Sequence, residues 1–388
     1  MASPDTNWTF RSLLNPVVAR LLIYGTNPFD LERVLRRVES VPIRNARQLE
    51  GIWLDEWQRL AASWELRASD AARHGRRRTA LASSFQTCCC HLAQFLINPG
   101  DIDRRRRISE TFSHAYRRAT AFFESPCYSV QISLDERLPL SAHLHVPSSA
   151  PPHPTVAIFS GLGSCKEEMH TLARLMVARG VAALVPDMPG NGESLFVSQL
   201  TCGSANLSAA CAAIADFVES RGDLDAARLG ACGLCMGGGY AYRACAEDSR
   251  YRWCATLFPL FINAVDATKT PTWMKSGAWY DFQTGGKGAA AFLEEVGWQD
   301  RFSIACPFFM AHSQHDNWMP LDKARLLLEH ASSPLNQLLM VEEEPAYGSG
   351  DATSHTLPVG EQLGWVGNVV ADWIAERAGC VPESEGLP

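Results

Sequence analysis

Residues 227–246 read ARLGACGLCMGGGYAYRACA. An apolar run ends at Gly233, Cys235 follows, and Gly237, Gly238 and Gly239 open an amphipathic segment. The spacing Gly-x-Cys-x-Gly suits a tight strand-to-helix turn that pushes one side chain outward, because glycine removes the Cβ atoms that would collide there. Such a turn requires a strand before it and a helix behind it, and the surrounding sequence supplies many of both. From residue 155 short apolar runs alternate with amphipathic ones: TVAIFSG, KEEMHTLARLMVARG, VAALVPD, ANLSAACAAIADFVES, ARLGACG, a helix from Met236, then YRWCATLFP. After an irregular stretch at 262–300 come IACPFFMAH, LDKARLLLEHA, NQLLMVEE and LGWVGNVVADWIAER. Apolar strands between helices predict a buried, mostly parallel sheet flanked by helices on both faces.

The chain before this region follows a different period. In PFDLERVLRRVE, ARQLEGIWLDEWQRLAASWELRASDAARHG, RRTALASSFQTCCCHLAQFLI and DRRRRISETFSHAYRRATAFFES, apolar positions recur at three and four. The reading is an all-α domain over 1–125 and an α/β domain over 126–388, with 262–300 as a cap insertion. CYSVQISL and LPLSAHLHVP alternate as an antiparallel strand pair at the start of the second domain.

Charge divides along the same boundary. The chain carries −7 overall, yet residues 1–125 hold 19 Arg, no Lys and 13 acids, a net +6 that leaves −13 for the remainder. The basic half reads as a solvated helical surface, or as a docking face for an acidic acyl carrier protein, with Arg104–Arg107 as its densest run. No recognition motif accompanies that run and the whole chain is acidic, so nucleic acid is not expected as a partner. No apolar run of bilayer length is expected, and the N-terminal residues lack a signal-peptide pattern, which predicts a cytoplasmic protein without a membrane partner.

Thirteen cysteines is an odd number, and most fall on predicted strands and helices, where a reduced Cys packs as a small hydrophobe. Cys88, Cys89 and Cys90 point in different directions from one helix and have no second Cys/His pair at ligand spacing. No metal and no cofactor are expected.

Cys235 sits at the start of a helix, where free N–H groups and the dipole attract negative charge, so it is the candidate nucleophile. Asp316 in MAHSQHDNWMP follows a strand and precedes a helix, and His355 in GSGDATSHTL lies in a loop before the last helix. The order nucleophile, acid, histidine makes His355 the candidate base and Asp316 the residue that fixes its tautomer. The Met236 N–H, with that of Leu162 or Gly163 from FSGLGSCKEE, would form an oxyanion hole. Asp266 is a rival triad acid, a second carboxylate for proton transfer, or a solvated loop acid. Glu167 and Glu168 read as helix-capping acids. Trp273, Trp279 and Tyr280 either line a substrate pocket beneath the helical domain or only pack the domain interface.

FSGLGSCKEE, ARGVAALVPDMPGNGES, GACGLCMGG and HDNWMP behind a helical N-terminal domain resemble the fermentation–respiration-switch-type esterases of the α/β-hydrolase superfamily. That group is similar to the dihydroxypseudooxynicotine hydrolases and to polyketide-shortening hydrolases. The resemblance implies an α/β-hydrolase fold with an N-terminal all-α lid, and a triad of Cys235, Asp316 and His355. The departure is cysteine where the group usually has serine, as in dienelactone hydrolases and off-loading Dieckmann cyclases.

A Cys–His pair exchanges readily with thioesters, and an acyl-thioenzyme keeps the protons beside its carbonyl acidic. The expected function is therefore release of an acyl or polyketide-type chain from a small or carrier-bound thioester, with carbon–carbon cyclisation. The alternatives are a C–C bond, ester or lactone hydrolase using the same triad, and a non-catalytic binding module on the same fold.

Overall fold

The computed structural model describes residues 10–43, 45–97, 101–134, 139–161, 163–261, 297, 302–316, 318–342 and 363–380. Five helices come first: α1 (Phe10–Tyr24), α2 (Pro28–Glu39), α3 (Ala46–Arg73), α4 (Arg77–Ile97) and α5 (Ile102–Thr120). Their starts are written locally. Asn27, Asn45 and Asp101 accept hydrogen bonds from the N–H groups of Phe29, Gln48 and Arg104, each at 2.9 Å, satisfying donors that a first helical turn leaves open. Pro28 takes the first helical position, where no N–H is needed.

The apolar faces of α1–α5 meet in one core that contains Leu21, Val34, Trp53, Trp57, Cys88–Cys90, Phe95, Phe112 and Tyr116. Burial raises the Cys89 thiol to about 12, which suits a cysteine used as filler. All thirteen cysteines are free thiols. By length and composition α4 could cross a bilayer, contrary to the expectation of no such run, and 67% of its apolar window is buried inside the protein.

Eight strands follow: β1 (Cys127–Ser133), β2 (Pro139–His145), β3 (His153–Phe159), β4 (Ala182–Pro186), β5 (Leu224–Leu234), β6 (Tyr251–Leu257), β7 (Phe308–Ser313) and β8 (Gln337–Val341). They form one sheet in the order β1-β2-β4-β3-β5-β6-β7-β8. β1 pairs antiparallel with β2 and β2 antiparallel with β4, while the remaining pairs are parallel. Every residue of β3, β4 and β7 is buried, as strands covered on both faces must be. On one face α8 (Ser204–Glu219), α9 (Met236–Glu247) and α10 (Leu321–Glu329) bury Leu207, Ile214, Tyr240, Tyr242 and Leu327. On the other, α6 (His170–Val177) and α11 (Leu363–Arg377) bury Leu172, Met176, Val366, Val370 and Ile374. A short helix, α7 (Gly192–Phe196), follows β4. This is the α/β-hydrolase fold with a helical N-terminal region.

Candidate active site

Cys235 lies between β5 and α9 with φ 57° and ψ −125°, a left-handed backbone that a non-glycine residue adopts at a cost of about 1–3 kcal/mol. Its neighbours hold it there. The Cys235 N–H donates to the Leu257 carbonyl at 3.0 Å, and its own carbonyl accepts from the N–H groups of Gly238 and Leu260, both at 2.9 Å. The flanking glycines are required by space. A Cβ on Gly233 would lie 1.9 Å from the Gly237 oxygen, and one on Gly237 would lie 2.1 Å from the Phe159 oxygen. The thiol is half-buried, and Met236 opens α9, so its N–H is one of the first-turn donors with no acceptor within the helix.

Strand register places the other described candidates at the same edge of the sheet. Phe159 of β3 pairs with Gly233, Leu234 with Leu257, and Leu257 with Ala311. The C-terminal ends of β3, β5, β6 and β7 are thus level, with β5 and β7 about 10 Å apart across β6. Asp316 follows β7 and is buried, and its Oδ1 accepts from the N–H groups of Trp318 and Met319, both at 3.0 Å. Gly163, with φ 66°, lies in the loop after β3, whose Gly161 approaches Cys235 so closely that an added Cβ would stand 3.5 Å from Sγ. Leu162, His355, Asp266, Trp273, Trp279 and Tyr280 lie outside the described residues.

Directly after this loop the sequence expectation needs correction. Residues Lys166–Met169 form a 3-10 turn before α6, and Glu167, expected as a capping acid, points inward with Lys166 and is buried. Lys166 Nζ contacts Asp187 Oδ2 and Glu193 Oε2 at 2.8 Å each and Glu167 Oε1 at 3.0 Å. The Lys166 N–H donates to Asp187 Oδ1 at 2.7 Å. Burial alone would raise the Glu167 carboxyl, but Lys166, His143 and Ser113 hold it well below the usual carboxylate range. Glu193 is likewise drawn down, to about 2, by Lys166 and Arg117 against its partial burial.

A second cluster went unread in the sequence. His143 and His145 of β2 and His170 of α6 are buried beside Tyr116 and Phe123. Tyr116 Oη lies 2.7 Å from His170 Nδ1, and His143 Nε2 lies 3.2 Å from Glu167 Oε1. Burial lowers all three imidazoles, His145 to about 3. The available signal was SAHLHV, two histidines at period two on a strand that is otherwise apolar. Nor is the Arg104–Arg107 run a uniform surface: Arg105 is buried and Arg107 is the exposed member. Among the described residues no group of three His, Cys, Asp or Glu side chains is arranged to hold a metal ion.

Relatives carry the same architecture. The model of the FrsA-like esterases matches residues 45–273. The 2,6-dihydropseudooxynicotine hydrolase of Paenarthrobacter nicotinovorans is 26% identical over 334 residues, which is 84% of this chain and 85% of that one. Among solved structures, 2,6-dihydroxy-pseudo-oxynicotine hydrolase superposes with a TM-score of 0.74 at 22% identity, covering 95% of this chain and 100% of that one. Wild-type AbyA5 superposes at 0.58 with 17% identity over 89% and 94%. With the family match spanning more than half of its length, this chain belongs to the FrsA-like esterases of the α/β-hydrolase superfamily.

Proposed function

We propose that this chain is a cysteine-nucleophile acyl-transfer enzyme that releases an acyl or polyketide-type chain from a thioester. The observation that carries the reading is a thiol at the strained turn between β5 and α9, half-buried and level with the C-terminal strand ends. In the proposed reaction His355 takes the Cys235 proton as Sγ attacks the acyl carbon. The oxyanion forms against the Met236 N–H and a second donor from Leu162 or Gly163. Its collapse breaks the bond to the leaving thiol, and His355 returns the proton to that sulfur. Asp316 holds the imidazole tautomer, with Asp266 as its rival.

The acyl-thioenzyme then meets its acceptor. A thioester keeps the adjacent carbon acidic, so a carbon nucleophile within the chain can close a ring, His355 or Asp266 removing its proton. The helices of 1–125, with Trp273, Trp279 and Tyr280, would roof the site and exclude water. A second reading, with water as acceptor, is favoured by membership of an esterase family. Replacing sulfur by oxygen separates the two. Cys235→Ser should lose cyclised product more than hydrolysed product when β-ketoacyl thioesters are supplied; equal losses, or hydrolysis alone in the wild type, would favour the esterase reading.

A further inference from the structure

Two arginines of the helical region reach the loop that follows β3. Arg20 of α1 forms a bidentate pair with Glu168, Nε to Oε1 at 2.6 Å and a terminal nitrogen to Oε2 at 2.5 Å. The same Glu168 Oε2 accepts from the Ser164 hydroxyl. Ser164 is buried, and its N–H closes the turn on the Gly161 carbonyl at 3.3 Å. From α5, a terminal nitrogen of buried Arg105 donates to the Gly163 carbonyl at 2.9 Å, its guanidinium 4.6 Å above the Phe95 ring. The Asn191 side-chain amide donates to the Gly161 carbonyl at 3.1 Å.

This loop contains two glycines, and its internal turn bond is long. Left to itself it would sample many conformations. A donor that must meet a developing oxyanion cannot wander, because a misplacement of about 1 Å can cost about a hundredfold in rate. A planar guanidinium gripping both carboxylate oxygens fixes direction as well as distance, which a lysine there would not.

We infer that Arg20 and Arg105 are positioning residues of the nucleophile site, through which the N-terminal helices set the oxyanion loop. The helical region is then part of the catalytic apparatus as well as a cover. Arg20 acts through Glu168 and Ser164 and Arg105 through the Gly163 carbonyl. The inference rests on the reading of Cys235 as nucleophile.

Two reactions of one thiol test it. Acylation by a 4-nitrophenyl ester passes through an oxyanion, whereas alkylation by iodoacetamide does not. In the full chain, Ser164→Ala and Arg20→Gln should slow Cys235 acylation at least tenfold and leave alkylation within twofold of wild type. Arg20→Lys should recover part of the loss. Peptides covering 159–169 should exchange amide hydrogen faster in Arg20→Gln while those of β5 and β6 do not change. Equal falls in acylation and alkylation would mean general damage and overturn the inference, as would an acylation rate or an exchange pattern like that of the wild type. A wild-type chain that alkylates at Cys235 but never acylates there would instead remove the nucleophile reading, and the catalytic meaning of the clamp with it.

Discussion

At Lys166 one buried ammonium answers three carboxylates, Glu167, Asp187 and Glu193, within 3.0 Å. Removing the cation leaves like charges facing each other out of water. Lys166→Met should therefore lower unfolding stability by about 3–5 kcal/mol, read from urea unfolding; a change below about 1 kcal/mol would mean the cluster relaxes or takes up a proton. Asp316 tests differently, because its Oδ1 is engaged by two backbone N–H groups that an amide oxygen also satisfies. Asp316→Asn should keep the fold yet lower turnover by about 10⁴, the loss expected when a triad imidazole is left in the wrong tautomer. A larger loss from Asp266→Asn would transfer the role of acid to Asp266.

Between elements, the histidines of β2 and α6 meet Tyr116 of α5, Phe85 of α4 and Tyr24 of α1. Cys127 Sγ, Arg174, Lys166 and Glu167 also face them. The cluster is buried and its imidazoles are lowered in the folded chain, so the unfolded chain takes up protons first, near pH 6.5. Their contribution to stability is complete above that pH and falls as pH drops towards the folded value, about 3 for His145. Each such histidine removes up to about 1.4 kcal/mol per pH unit below 6.5. Urea unfolding at pH 7.5 and 5.5 should show this loss, and His145→Gln should shrink it by about 1 kcal/mol; an unchanged pH dependence would mean His145 is not the group titrating. Helix and strand identities here were legible, since apolar spacing and Asn or Asp caps are local. The 3-10 turn at Lys166–Met169 was not. KEEM reads as an amphipathic start, and two of the three carboxylates that hold Lys166 inward, Asp187 and Glu193, lie more than twenty residues on.

Over the whole molecule, the mostly parallel sheet could be read from the alternation of apolar and amphipathic runs, and the place of Cys235 from a strand–Gly-x-Cys-x-Gly–helix run that admits few geometries; the order in which the strands lie in the sheet was not read. The position of Asp316 just after β7 was legible from the apolar run IACPFFMAH that precedes it. What joins the helical region to the sheet was not legible: Arg20 meets Glu168 across 148 residues, and nothing near either residue announces the other. His355, Asp266 and the aromatic residues of 262–300 fall outside the described residues, so their roles rest on chain order and chemistry. The most direct test is intact-mass analysis of the full chain after brief exposure to a simple β-ketoacyl thioester. The expected result is one added acyl group, mapped to Cys235, absent in Cys235→Ala and strongly slowed in His355→Ala. Turnover that persists in Cys235→Ala, or an adduct on any other residue, would contradict a cysteine-nucleophile enzyme.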